Sequence, residues 1–117
     1  MEIHHYSLEV RNLKASIAFY QTHLGFQIEQ TLEFMGEEIV FLTLGECRLE
    51  LISNQAKAYD GNSRGGHLCF VAADLTKVMK DIPILEGPYQ LENGWRTLFC
   101  EGPDHEVIEF LQINPGK

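Results

Sequence analysis

Two stretches of this chain, His5-Tyr6-Ser7-Leu8-Glu9-Val10-Arg11-Asn12-Leu13 and His67-Leu68-Cys69-Phe70-Val71-Ala72-Ala73-Asp74-Leu75, can be laid one over the other. Histidine falls on histidine, apolar on apolar at Leu8/Phe70 and Val10/Ala72, a helix N-cap residue on another at Asn12/Asp74, and leucine on leucine. A second pair matches further on, Leu49-Glu50-Leu51-Ile52 over Ile108-Glu109-Phe110-Leu111, with glutamate on glutamate between apolar neighbours. His5 to Glu50 spans 45 residues and His67 to Glu109 spans 42. An internal repeat decides the architecture before any single element does.

The elements around these anchors fall into one order, twice. In the first half, Ile3–Val10 alternates as a strand. Asn12 caps a helix over Leu13–Leu24, with Leu13, Ile17, Tyr20 and Leu24 at helical spacing. Gly25 ends it, and Phe26–Phe34, Glu37–Leu44 and Cys47–Ser53 read as strands parted by turns at Gly36 and Gly45-Glu46. In the second half, His67–Ala72 is a strand, Asp74 caps a helix over Leu75–Asp81, and Pro83 stops it. Strands follow over Ile84–Leu91, Trp95–Cys100 and Glu106–Ile113, with Asn93-Gly94 as a hairpin turn. Residues 55–66 read as a linker. The expectation is one α+β domain over 1–117 built from two βαβββ modules, about 1–54 and 67–113.

Strand alternation assigns faces. Tyr6, Leu8 and Val10 must meet the helix, which leaves His5, Ser7 and Glu9 on the open side. The same count puts His67, Glu50 and Glu109 on open faces. A mid-strand carboxylate between apolar neighbours is costly to bury unpaired, and two close together repel. One divalent cation would remove both costs. Two imidazoles with two carboxylates suit zinc, nickel, cobalt, iron or manganese and leave positions for substrate oxygens.

Bulk properties narrow the rest. A net charge of −8 offers no basic footprint for nucleic acid. No apolar run is long enough to cross a membrane, and Met1-Glu2-Ile3-His4-His5 is not a secretory signal, so the expected location is the cytoplasm. Cys47, Cys69 and Cys100 are odd in number and lack CxxC spacing; each reads as a small buried apolar residue. His4, His23 and His105 read as solvated, and Trp95 as core or rim packing.

The stretches IHHYSLEVRNLKASIAFYQTHLGF, CRLELIS, GGHLCFVAADL and GPDHEVIEFLQ resemble the vicinal oxygen chelate superfamily, which includes glyoxalase I, extradiol dioxygenases and bleomycin-binding proteins. The resemblance implies two βαβββ modules forming an open, curved half-barrel around a metal, and a glyoxalase I-type ligand set of His5, Glu50, His67 and Glu109. It implies a homodimer, with His5 and Glu50 of one chain meeting His67 and Glu109 of the other. It also implies a metal-dependent lyase or isomerase acting through an enediolate on a small carbonyl or thiol-adduct substrate, Glu109 being the better base and Glu50 its counterpart. Glutathione-using members carry Arg four residues after the first His; this chain has Glu9 there, while Asn54 does match, and Glu9 would repel a glutathione carboxylate. Glu9, Asn54 and Arg96 are the substrate-binding candidates. Three other readings compete. An iron-dependent dioxygenase would use His5, His67 and Glu109, but Glu50 would fill a position oxygen needs. A non-enzymatic drug-binding module suits the acidic charge but not the full ligand set. A fosfomycin thiol transferase would need more cations than Arg48 and Arg96 supply.

Overall fold

The computed structural model describes residues 2–55 and 67–113. It divides into two compact units, Met1–Tyr59 and Asp60–Lys117. The linker reading falls, from residue 56 onward, outside the described residues.

Module one runs β1 (Tyr6–Val10), α1 (Leu13–Leu24), β2 (Gln27–Phe34), β3 (Glu37–Leu44) and β4 (Cys47–Ser53). Asn12 stands extended ahead of α1 and its side chain accepts from the Ala15 N–H at 3.0 Å, satisfying a donor that the first helical turn leaves without a partner. At the other end Gly25 takes the left-handed conformation, φ 81°, which costs glycine no Cβ clash. The chain then turns so that the Phe26 ring meets Tyr20 edge-on at 5.7 Å. The strands lie in the order β1-β4-β3-β2. β1 is parallel to β4, with Ser7 opposite Glu50, and β3 is antiparallel to it, with Phe41 opposite Glu50. Val10, Tyr20, Phe26, Val40, Leu42, Leu49 and Leu51 form the core between helix and sheet. The β2–β3 turn is Met35-Gly36, with φ 52° and 81°. Positive φ at both central positions is the hairpin geometry whose twist matches the flanking strands.

Module two repeats the plan with β5 (Leu68–Val71), α2 (Leu75–Asp81), β6 (Ile84–Gln90), β7 (Arg96–Glu101) and β8 (Val107–Gln112), in the order β5-β8-β7-β6. Asp74 caps α2 by accepting from Thr76 N–H at 2.9 Å. A second donor of that first turn, Leu75 N–H, goes to Gln112 Oε1 on β8 at 2.9 Å. Ile82 is already extended, φ −126°, because a residue ahead of proline is pushed out of the helical region. The core holds Leu75, Ile82, Leu98, Cys100, Ile108 and Phe110.

The α+β class and the two βαβββ modules are as expected, and several strand limits move by one to three residues. β1 begins at Tyr6 rather than Ile3, since its parallel ladder with β4 begins with Tyr6 opposite Leu49. His5 and His67 therefore sit just ahead of their strands. β7 starts at Arg96, and the preceding turn places only Gly94 at positive φ (93°), with Gly94 N–H donating to Leu91 O at 3.0 Å. The turn is thus centred on Glu92-Asn93, not on Asn93-Gly94. Last, β8 is one residue shorter at each end than expected.

Candidate functional site: two histidine–glutamate pairs

In module one, Leu49 and Leu51 face the helix at 0% exposure, so the alternation of β4 sends Glu50 to the other face. Ser7 pairs with Glu50 across β1–β4, and its hydroxyl donates to Glu50 Oε1 at 2.8 Å. His5, two residues earlier, brings Nε2 to 3.3 Å from the same oxygen. The His5 ring rests edge-on against Phe41, centroids 5.2 Å apart, on the strand opposite. Its other nitrogen, Nδ1, lies 2.8 Å from His4 Nδ1. His4 is exposed as expected, but it is more than solvated: it occupies Nδ1 of His5 and leaves Nε2 for Glu50. Arg48 steadies this segment. Its fork takes both oxygens of Glu29, at 2.8 and 3.0 Å, and its Nη1 donates to His4 O at 3.2 Å.

Module two builds the same pair with different supports. Ile108 and Phe110 face the helix, and Glu109 faces away. His67 Nε2 lies 2.7 Å from Glu109 Oε1, closer than its counterpart in module one, and the His67 ring rests edge-on against Phe99 at 5.7 Å. Phe99 lies opposite Glu109 as Phe41 lies opposite Glu50. Cys69 occupies the place of Ser7 and hydrogen-bonds Glu109. Thr97, buried at 3% exposure, donates from Oγ1 to Glu109 Oε2 at 2.5 Å. Burial alone would raise the Glu109 pKa; donation from Thr97, His67 and Cys69 outweighs it and holds the carboxyl below its usual value. The partner thiol answers in the opposite sense. Desolvation first, then the charge and hydrogen bond of Glu109, push Cys69 up to about 11, so it stays a thiol at neutral pH.

The other expected residues divide. Glu9 and Asn54 meet: Asn54 Nδ2 donates to Glu9 Oε2 at 3.0 Å, on the Glu50 face of module one. Arg96 goes elsewhere. It pairs with Gln112, and the alternation of β7 puts it on the face of Leu98 and Phe110, toward the α2 cap, where its charge helps lower the Asp74 pKa. It does not share a face with Glu109. Cys69 also departs from the expected buried apolar role, being exposed and bonded to Glu109, whereas Cys100 is buried as expected.

Each module by itself thus offers one imidazole nitrogen and one carboxylate oxygen side by side, a donor set that fits half of a divalent metal site. Among the described residues no group of three or more His, Cys, Asp or Glu gathers for a metal. The repeated unit is larger than the sequence repeat indicated: His, Ser or Cys two residues on, Glu on the paired strand, and Phe on the next. The Ser7/Cys69 match was visible in the overlay, whereas Phe41/Phe99 emerges only when β3 is laid on β7. Thr97 had no such signal, since its counterpart is Ile39.

The family model for the Glyoxalase/Bleomycin resistance protein/Dioxygenase superfamily matches residues 2–110, including all four of these residues. The chain belongs to this superfamily. It is 32% identical over 121 aligned residues to YwbC, an uncharacterized protein of Bacillus subtilis (strain 168), covering 94% of this chain and 96% of that one. Among solved structures it is similar to a trypanothione-dependent glyoxalase I of Leishmania major, with 26% identity, a TM-score of 0.75, and coverage of 96% of this chain and 86% of the other. A glyoxalase family protein from Enterococcus faecalis superposes with a TM-score of 0.79 at 22% identity, covering 94% and 96% of the two chains, a likeness of fold. No helix among the described residues is long and apolar enough to cross a membrane.

Proposed function

We propose that this superfamily member is a glyoxalase-like lyase or isomerase that binds one divalent metal through His5, Glu50, His67 and Glu109 and moves a proton beside a substrate carbonyl. The observation that carries this is the recurrence of the pair: Nε2 beside Oε1 at 3.3 Å in one module and at 2.7 Å in the other, each on the face its helix leaves open. The two pairs come together in a homodimer, His5 and Glu50 of one chain with His67 and Glu109 of the other. When bound, the metal would supply Lewis-acid stabilisation of negative charge on substrate oxygens. The residues do the rest. His4 and Phe41 hold the His5 ring, and Phe99 holds His67. Glu50 is better suited than Glu109 to take the proton from the carbon beside the carbonyl and return it to the neighbouring carbon. Both oxygens of Glu109 are engaged, by His67 and Thr97, whereas the Glu50 bonds converge on Oε1. This exchanges the roles that family resemblance implies. Glu9 beside Asn54 favours a substrate whose distal part is neutral or cationic over one ending in a carboxylate.

The test is metal titration followed by assay on methylglyoxal hemithioacetals formed with thiols of differing charge, glutathione and trypanothione among them. The wild-type protein is expected to take up nickel, cobalt or zinc and to turn over the less acidic adducts. At saturating metal, Glu50→Gln should lose about 10²–10⁴ in kcat, the worth of a positioned acid–base group, and it should bind the metal more weakly, an amide being a poorer ligand than a carboxylate. A wild-type protein that takes up none of these metals, or a Glu50→Gln variant with full activity, would overturn the proposal.

A further inference from the structure

We infer that Thr97 is a positioning residue that decides which oxygen of Glu109 is offered to the metal. This rests on the reading above that Glu109 is a ligand. Thr97 pairs with Leu111, two residues beyond Glu109 on β8, so its side chain reaches the carboxylate diagonally on the same face. Its hydroxyl has one hydrogen to give. Two acceptors stand near, Glu109 Oε2 at 2.5 Å and Phe110 O at 3.4 Å, and the charged, closer one takes it. The side chain is buried and β-branched, so it has little rotamer freedom with which to let go. With Oε2 held, the plane of the carboxylate is set and Oε1 is the oxygen beside His67 Nε2, 2.7 Å away.

Module two then presents one nitrogen and one oxygen, not a two-oxygen chelate that would occupy an extra coordination position. Module one has no equivalent, because Ile39 carries no donor at the matched place. Thr97 therefore separates two glutamates that the repeat makes equal: Glu109 is fixed by a hydroxyl behind it, and Glu50 keeps the freedom to reorient.

The experiment measures cobalt and zinc affinity by competition with a chromophoric chelator, on the full chain, for wild type, Thr97→Val, Thr97→Ser and Ile39→Val. The visible spectrum of the cobalt form and the metal-free unfolding midpoint accompany each titration. Thr97→Val should bind metal about 10–100-fold more weakly, the usual cost of removing a group that orients a ligand, and its cobalt spectrum should shift. Thr97→Ser, which keeps the hydroxyl, should stay near wild type, as should Ile39→Val. If Thr97→Val does not fold, Thr97→Ala, which also lacks the donor, carries the same comparison. Wild-type affinity and an unchanged cobalt spectrum in the hydroxyl-less variant overturn the Thr97 assignment alone. A wild-type protein that binds neither metal overturns it together with the proposed function.

Discussion

The two modules have one plan and two different characters. Both carry a helix on one face of a β1-β4-β3-β2 type sheet, and both place a histidine, a glutamate and a phenylalanine on the other. Yet His5 is held from outside, by His4 and through it by Arg48, while Glu50 is lightly held by Ser7. In module two the support is reversed: Glu109 is held by Thr97, Cys69 and His67, and His67 has its ring contact with Phe99. The irregularity moves as well. β2 has one register shift, and β6 has two. A repeat can therefore preserve which residues meet while the surrounding side chains give the meetings different stiffness.

Four measurements would break or sharpen this comparison. The largest effect is expected where the modules are most alike. Leu51 and Phe110 sit at matched core positions, 0% and 3% exposed. Leu51→Ala should cost about 2–5 kcal/mol and Phe110→Ala about 3–5 kcal/mol in urea unfolding. A loss under 1 kcal/mol in one of them would show that its module is not held by this core. Next come the caps. Asn12→Ala should cost about 1 kcal/mol by the same measurement, as it strips the acceptor from the Ala15 N–H.

Asp74, the matched cap, should differ by depending on pH. Its hydrogen bonds to Thr76 depress its pKa in the folded chain, so its stabilisation is full above the ordinary aspartate value and fades as pH falls through the depressed one. Asp74→Ala should therefore narrow its gap from wild type in acid, where Asn12→Ala should not. An Asp74→Ala gap that stays constant down to pH 2 would contradict this.

The smallest effect concerns the Ser7/Cys69 exchange. With its thiol pushed to about 11, Cys69 should react slowly with iodoacetamide at pH 8. Glu109→Gln removes the charge that opposes the thiolate, so alkylation of Cys69, read by mass spectrometry, should accelerate several-fold. An unchanged rate would mean that partial desolvation, and not the Glu109 charge, governs the thiol.

Much of this was legible in the chain itself. Asn12, Gly25, Gly36, Gly45 and Asp74 punctuate the elements by turn and cap chemistry, and the helix and strand limits from Leu13 to Ser53 follow them closely. The faces of His5, Glu50, His67 and Glu109 followed from alternation. What alternation could not supply was cross-strand register. Arg96 is the exception, since alternation with Leu98 and Cys100 already assigns it to the helix side, and its pairing with Gln112 agrees. Thr97 looked ordinary until its diagonal reach to Glu109 was known. His4 read as solvated because nothing in a linear chain reveals that a neighbouring ring sits on Nδ1 of His5.

The register shift in β2 has a consequence of its own. Ile28 pairs with Leu42 and Gln30 with Phe41, so Glu29 is the extra residue, and it is also the carboxylate that the Arg48 fork grips. Because side chains alternate, losing that residue would turn one side of β2 over relative to the other. It would also free Arg48, whose Nη1 steadies His4. Deleting Glu29 would therefore remove the backbone insertion and the counter-ion together, whereas replacing its side chain would remove the counter-ion alone and leave the path of β2 unchanged.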